Sequence, residues 1–244
     1  MRTAAAISAL PERSAETLTT PAQDQPAEQG LSEEEFARFT SQVMDRKRDF
    51  VGDRFIKFAR VSSGNWAAFP DLSEALSRLT PDQLLSILKQ WSGGKPVERG
   101  KDDGPGNFLG LAERVNPSAL VKLIYRLQEE KDPFLSAPYP KVALRYWFRQ
   151  DSNEFLQWAR AAGTPGRFDN ACAIWADAAE IIREPTLENV RRFLAHGPSY
   201  EATEATVALG SQLPSEELRL KFFQHLHAVT KGKVAKPGSY LLLR

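Results

Sequence analysis

The sequence has very little cysteine or histidine and no long apolar run. Its 244 residues hold a single cysteine, Cys172, and three histidines. No stretch approaches the roughly eighteen apolar residues that a membrane-spanning helix needs. One cysteine excludes an internal disulfide framework. Its neighbourhood, ACAIWADAAEII, is apolar with helical spacing, which predicts a buried, inert thiol in a reducing compartment, the cytoplasm. His225 and His227 are the only close histidine pair, and on a helix they project about 200° apart, so they do not form a shared metal site.

An excess of charge of one sign is also missing. The 32 Lys and Arg against 31 Asp and Glu leave a formal net charge of +1, whereas polyphosphate partners are held by surplus cations. Nucleic acid is therefore disfavoured as the main partner. Aromatic residues are absent from the first thirty positions, which are rich in Ala, Thr, Glu, Gln and Pro. So little apolar surface does not offset the entropy of ordering, and residues 1–30 read as a disordered tail. The chain as a whole, 42% hydrophobic and 26% charged, belongs to the soluble globular class.

Signatures of catalysis are lacking too. The one glycine-rich charged stretch, SGGKPVERGKDDGPGN from Ser92 to Asn107, has neither the offsets of a phosphate-binding loop nor the alternating acids of a calcium loop. It reads as a connection between helices. No Ser, His and Asp set and no Cys and His pair stands out. We expect no catalytic residue, no cofactor and no metal.

Periodicity is what the sequence does have. LSEEEFARFTSQVMDRKRDF offers Ser32 as an N-cap, acids in the first turn, and Phe36, Phe39, Val43 and Phe50 on one helical stripe, with Gly52 as a place to end or kink. A second helical segment around Phe55 to Val61 completes an N-terminal unit over 31–62. Beyond the SSGN loop, strong helix starts fall at Thr80, Asn116, Asp151 and Thr186, at intervals of 36, 35 and 35 residues. The fourth residue after each cap is Leu84, Leu120, Phe155 or Val190. The seventh is Ile87, Leu123, Trp158 or Phe193, and the eighth Leu88, Ile124, Ala159 or Leu194. All twelve are apolar, as one buried face requires.

Counting back from the same caps exposes another helix in every unit. Leu72, Phe108, Ala143 and Ala178 lie eight residues before. Ala75, Leu111, Tyr146 and Ile181 lie five before, and Leu76, Ala112, Trp147 and Ile182 four before. A fifth pair, SYEATEATVALGSQL and PSEELRLKFFQHLHAV, follows after a shorter interval. Two amphipathic helices in about 35 residues resemble the helical-hairpin repeat class that includes tetratricopeptide and HEAT-like proteins. The resemblance covers residues 66–230. It implies an all-α fold, a right-handed α-solenoid of four to five hairpins, the alternative being an irregular helical bundle.

The register sorts the candidate contact residues. Phe148 occupies a slot, three before the cap, that holds Ser77, Glu113 and Arg183 in the other units, so its ring is expected to face solvent or a partner. The alternative is that Phe134, Leu135 and Tyr139 of the preceding loop cover it. Arg78, Arg114 and Arg149 each lie two before their caps, with Glu184 as the fourth member. They either complement the end of a helix dipole or form a basic strip for an acidic peptide or a phosphate. The segment 231–244, KGKVAKPGSYLLLR, either caps the array or docks on another chain.

The function expected from this class is a non-enzymatic protein-binding or assembly scaffold with partner-binding residues Arg78, Arg114, Phe148 and Arg149. One alternative is a nucleic-acid binder, which needs the column to extend over Arg160, Arg191 and Arg192. The other is an enzyme with a site in an inter-helix groove, where a histidine and a carboxylate, or two carboxylates, must converge.

Overall fold

The four repeated helix starts are all N-caps in the computed structural model of the chain, which describes residues 30–51, 70–98, 103–135, 141–161 and 170–230. Thr80 Oγ1 accepts from the Gln83 N–H at 3.2 Å, and the Gln83 carboxamide oxygen accepts from the Thr80 N–H, closing a capping box. Asn116 Oδ1 accepts from the Ala119 N–H, Asp151 Oδ1 from the Glu154 N–H and Thr186 Oγ1 from the Asn189 N–H. Each bond satisfies a first-turn donor that the helix itself leaves unpaired, and such a cap is typically worth about 1 kcal/mol. Pro81 and Pro117 stand in the first helical turn, where the missing N–H removes no hydrogen bond.

The described residues form eleven α-helices. Helix α1, Glu33–Asp45, precedes a short 3-10 turn, Lys47–Phe50. Five pairs follow: α2 Pro70–Ser77 with α3 Pro81–Ser92, α4 Gly104–Val115 with α5 Pro117–Glu129, α6 Lys141–Gln150 with α7 Ser152–Ala161, α8 Asn170–Arg183 with α9 Leu187–Ala195, and α10 Tyr200–Gln212 with α11 Glu216–Thr230. Among the described residues the only β pairing is an isolated bridge between Val97 and Leu135, so the fold is all-α. No described helix is long and apolar enough to cross a membrane.

The first helices of successive pairs lie against one another, α2 on α4, α4 on α6, α6 on α8 and α8 on α10. Among the second helices α3 packs on α5 and α9 on α11. Helices α5 and α7 meet through side chains: the Tyr125 and Trp158 rings stand 5.5 Å apart, and Lys122 Nζ lies 3.4 Å from a Glu154 oxygen. The residues in the twelve forward slots form this seam. Ten are buried, and Trp158 and Leu194 are partly buried against the same core. The arrangement tightens at its C-terminal end, where α10 reaches back past α8 to α6. Arg145 pairs with Glu204 at 2.7 Å, and the Gln212 amide donates to the Arg149 carbonyl at 3.1 Å.

The N-terminal segment departs from its expected form. The stripe from Phe36 to Phe50 is not one helix: α1 ends at Asp45, and Arg46 turns the chain with φ −95° and ψ 12°. The following 3-10 turn, pinned by the Arg46–Asp49 ion pair, swings Phe50 edge-on against Trp91 and Phe108. Of the tail expected over 1–30, residues 1–29 lie outside the described residues, as do the segment Phe55–Val61 and the 231–244 segment.

Candidate functional site

Each helix pair turns a corner where its first helix ends and its second begins, and the last carbonyls of the first helix need donors there. Neighbouring units supply them. The Asn116 amide, while its oxygen caps α5, donates to the carbonyls of Leu76 and Leu79 at 2.8 and 2.9 Å. The Gln150 amide donates to the Arg114 carbonyl at 2.9 Å, and that of Gln212 to Arg149. Three corners are thus tied by side-chain amides, and each carries one arginine of the predicted column.

The arginine side chains then diverge. Arg78 forms a two-pronged pair with Glu35 of α1, at 3.3 and 3.4 Å. The backbone N–H of Ser32, then its hydroxyl, then Arg78 hold the Glu35 carboxyl below its ordinary value. Arg114 lies over the Tyr146 ring, 5.6 Å from its centroid, and is half-buried. Arg149 is exposed, and its guanidinium makes no ion pair with a described residue. The three arginines thus stand at corners tied by side-chain amides, with their cations committed to different degrees.

An open cleft of about 300 Å³ lies beside the first two corners, lined by Ser77, Arg78, Thr80, Asn116, Ser118 and Glu154 among others. Glu154 reaches in from α7, held by Lys122 and by the Trp147 indole N–H at 2.9 Å. The cleft thus presents a guanidinium, two serine hydroxyls and one carboxylate. Nothing in it pairs a nucleophile with a base.

Phe148 has to be corrected. Its ring is fully buried, 4.9 Å from that of Trp175, and it offers no exposed anchor. The slot comparison fails because α6 is covered on more sides than a single repeat suggests, by α4, α8 and α10 together. Glu113, in the same slot of α4, is buried as well.

One polar cluster has no signature in the sequence. His196, just past α9, brings Nε2 to 2.7 Å from Asp177 Oδ2 and Nδ1 to 3.2 Å from Asn170 Oδ1, while Arg192 Nε bonds the other Asp177 oxygen at 2.5 Å. Residues nineteen apart on neighbouring helices meet here without any periodic cue. Both ring nitrogens therefore have oxygen partners on described residues. Glu180 is similarly occupied by Arg160 and Arg183. Comparison of the chain with protein-family models, with characterised proteins and with solved structures finds no match.

Proposed function

We propose that this chain is a non-enzymatic scaffold that binds a protein or peptide along the edge formed by its hairpin corners. The observation that carries the reading is the amide-tied succession of the corners that hold Arg78, Arg114 and Arg149, the first of which lines the cleft. The finer architecture we propose is a right-handed α-solenoid of four to five hairpins, supported by the unbroken contact of first helices from α2 to α10. The reach of α10 back to α6 makes its C-terminal end denser than a uniform array.

An acidic segment is the partner that fits this edge. Guanidinium groups bind carboxylates through paired charge-assisted hydrogen bonds, and Arg149 is exposed for that purpose. Arg78 exchanges Glu35 for a ligand carboxylate at little cost, because a solvent-exposed ion pair is screened by water and weak. Phe148 takes no part. Arg160 and Arg192, which a nucleic-acid reading recruits, are already neutralised by Glu180 and Asp177.

Capture of partners by the wild-type chain and by the Arg78→Ala, Arg114→Ala, Arg149→Ala triple variant, read by mass spectrometry and followed by anisotropy titration of an acidic peptide, tests the reading. Loss of binding in the triple variant at unchanged melting temperature supports it. Equal binding by both, or a steep salt dependence with RNA instead, overturns it.

A further inference from the structure

Large apolar side chains stand in solvent on the last described helix pair. Leu220 and Phe223 of α11 are 58% and 41% exposed, and Val207 of α10 is 55% exposed. A single exposed leucine needs no explanation, but Leu220 and Phe223 lie one turn apart on the same side of α11. The tip of the Phe223 ring lies 3.7 Å from where a Gly210 Cβ would stand, so α10 borders this side. In the row of second helices α5 packs on α3 and α11 packs on α9. Helix α11 is the last described member of the row, and among the described residues no further helix covers it.

We propose that this face binds a second copy of the chain, with α11 laid antiparallel against the partner's α11 about a two-fold axis. Four exposed residues define the seam: Glu216, Leu220, Phe223 and His227, spaced four, three and four residues apart. That alternation is the spacing with which two helices interlock side by side. The buried positions of α11, Phe222 and Leu226, point into the chain's own core and leave the seam free for another helix.

Charge selects both the partner and the direction. A two-fold axis level with the Lys221–Phe222 peptide sets Leu220 opposite the partner's Phe223, and the symmetry makes this apolar layer twice. The same axis sets Glu216, in the first turn of α11, opposite the partner's His227, in the last turn, also twice. Two apolar layers are thus closed at each end by a carboxylate facing an imidazole, so the seam complements itself. A parallel pairing sets Glu216 against Glu216 and His227 against His227, and it also aligns the two helix dipoles unfavourably. Helix α11 has 15 residues, about 22 Å of length, and one helix pair of that size lies at the low end of specific interfaces. The dimer is therefore reversible, with micromolar rather than nanomolar affinity. This inference is independent of the arginine corners.

Sedimentation equilibrium of the full chain, from micromolar to millimolar concentration, tests it. The wild-type chain should fit a monomer–dimer equilibrium. Leu220→Asp should raise the dissociation constant at least about tenfold while the melting temperature stays unchanged, because the side chain is solvent-exposed in the single chain. Glu216→Lys should weaken the dimer by placing a cation against the partner's His227, and adding His227→Glu to it should restore the dimer, as the antiparallel register alone requires. A monomer at every concentration, a dimer that Leu220→Asp leaves intact, or no recovery in the double charge-swap variant each overturn the proposal.

Discussion

Phe148 stacks on Trp175 with ring centroids 4.9 Å apart and planes inclined by 53°, and neither side chain reaches solvent. The pair is the main aromatic contact between α6 and α8, and its geometry is one that ring quadrupoles favour. Phe148→Ala is expected to lower the unfolding free energy by about 3–5 kcal/mol, the range for removing a buried ring. Denaturant melts check this; a change near zero would mean the ring is not part of the core.

Asn116 serves two helices with one side chain, capping α5 through its oxygen and closing the end of α2 through its amide. Asn116→Ala should therefore cost more than an ordinary cap, about 2–4 kcal/mol, combining a lost cap with buried carbonyls left without donors. Asn116→Ser keeps the cap and loses only the amide, so its cost should fall between wild type and Ala. If Ser and Ala prove equally destabilising, the cap contributes nothing.

The caps and slots explain why much of the architecture was legible. Thr80, Asn116, Asp151 and Thr186 act locally, on N–H groups three residues ahead, so their effect is written in the sequence itself. Apolar periodicity placed Leu84, Leu120, Phe155 and Val190 in the core for the same reason. Phe148 was misread because a slot comparison assumes that every unit has the same neighbours, and α6 also receives α10. The Arg78–Glu35 pair spans 43 residues, and the His196–Asp177 contact joins different helices. Such pairings leave no period. The break at Arg46 is equally silent, since Phe36 to Phe50 reads as one stripe whether or not the backbone turns within it.

Two glycines at helical positions should respond in opposite directions to the same substitution. A Cβ at Gly110, inside α4, meets nothing within 4 Å, so Gly110→Ala should stabilise the chain by about 0.5–1 kcal/mol through helix propensity alone. At Gly104, the start of α4, the added carbon would stand 2.5 Å from the Trp91 ring. Trp91 is wedged between Phe50 and Phe108 and has little room to retreat. Gly104→Ala should lower the melting temperature, and a rise would show that the aromatic cluster is loose.

Glu35 ties α1 to the first corner, and its charge should make that tie pH-dependent. Ser32 and Arg78 stabilise the ionised carboxylate, so its folded pKa lies below 4.5, the ordinary value. Protons then bind the unfolded chain more readily, and the contribution of the carboxylate is complete above the unfolded value and lost as pH falls through the folded one. The advantage of wild type over Glu35→Gln, which keeps a hydrogen-bonding side chain at the capping position, should be present at pH 6 and shrink at about pH 3. Observing the carboxyl carbon by NMR separates the causes: Ser32→Ala and Arg78→Ala should each raise the titration midpoint. Ser32→Ala removes only the hydroxyl and leaves the backbone N–H in place, so the decisive variant is Arg78→Ala: a midpoint that it does not move would mean that the carboxylate does not engage the guanidinium, and the corner would then have Arg78 fully available to a ligand.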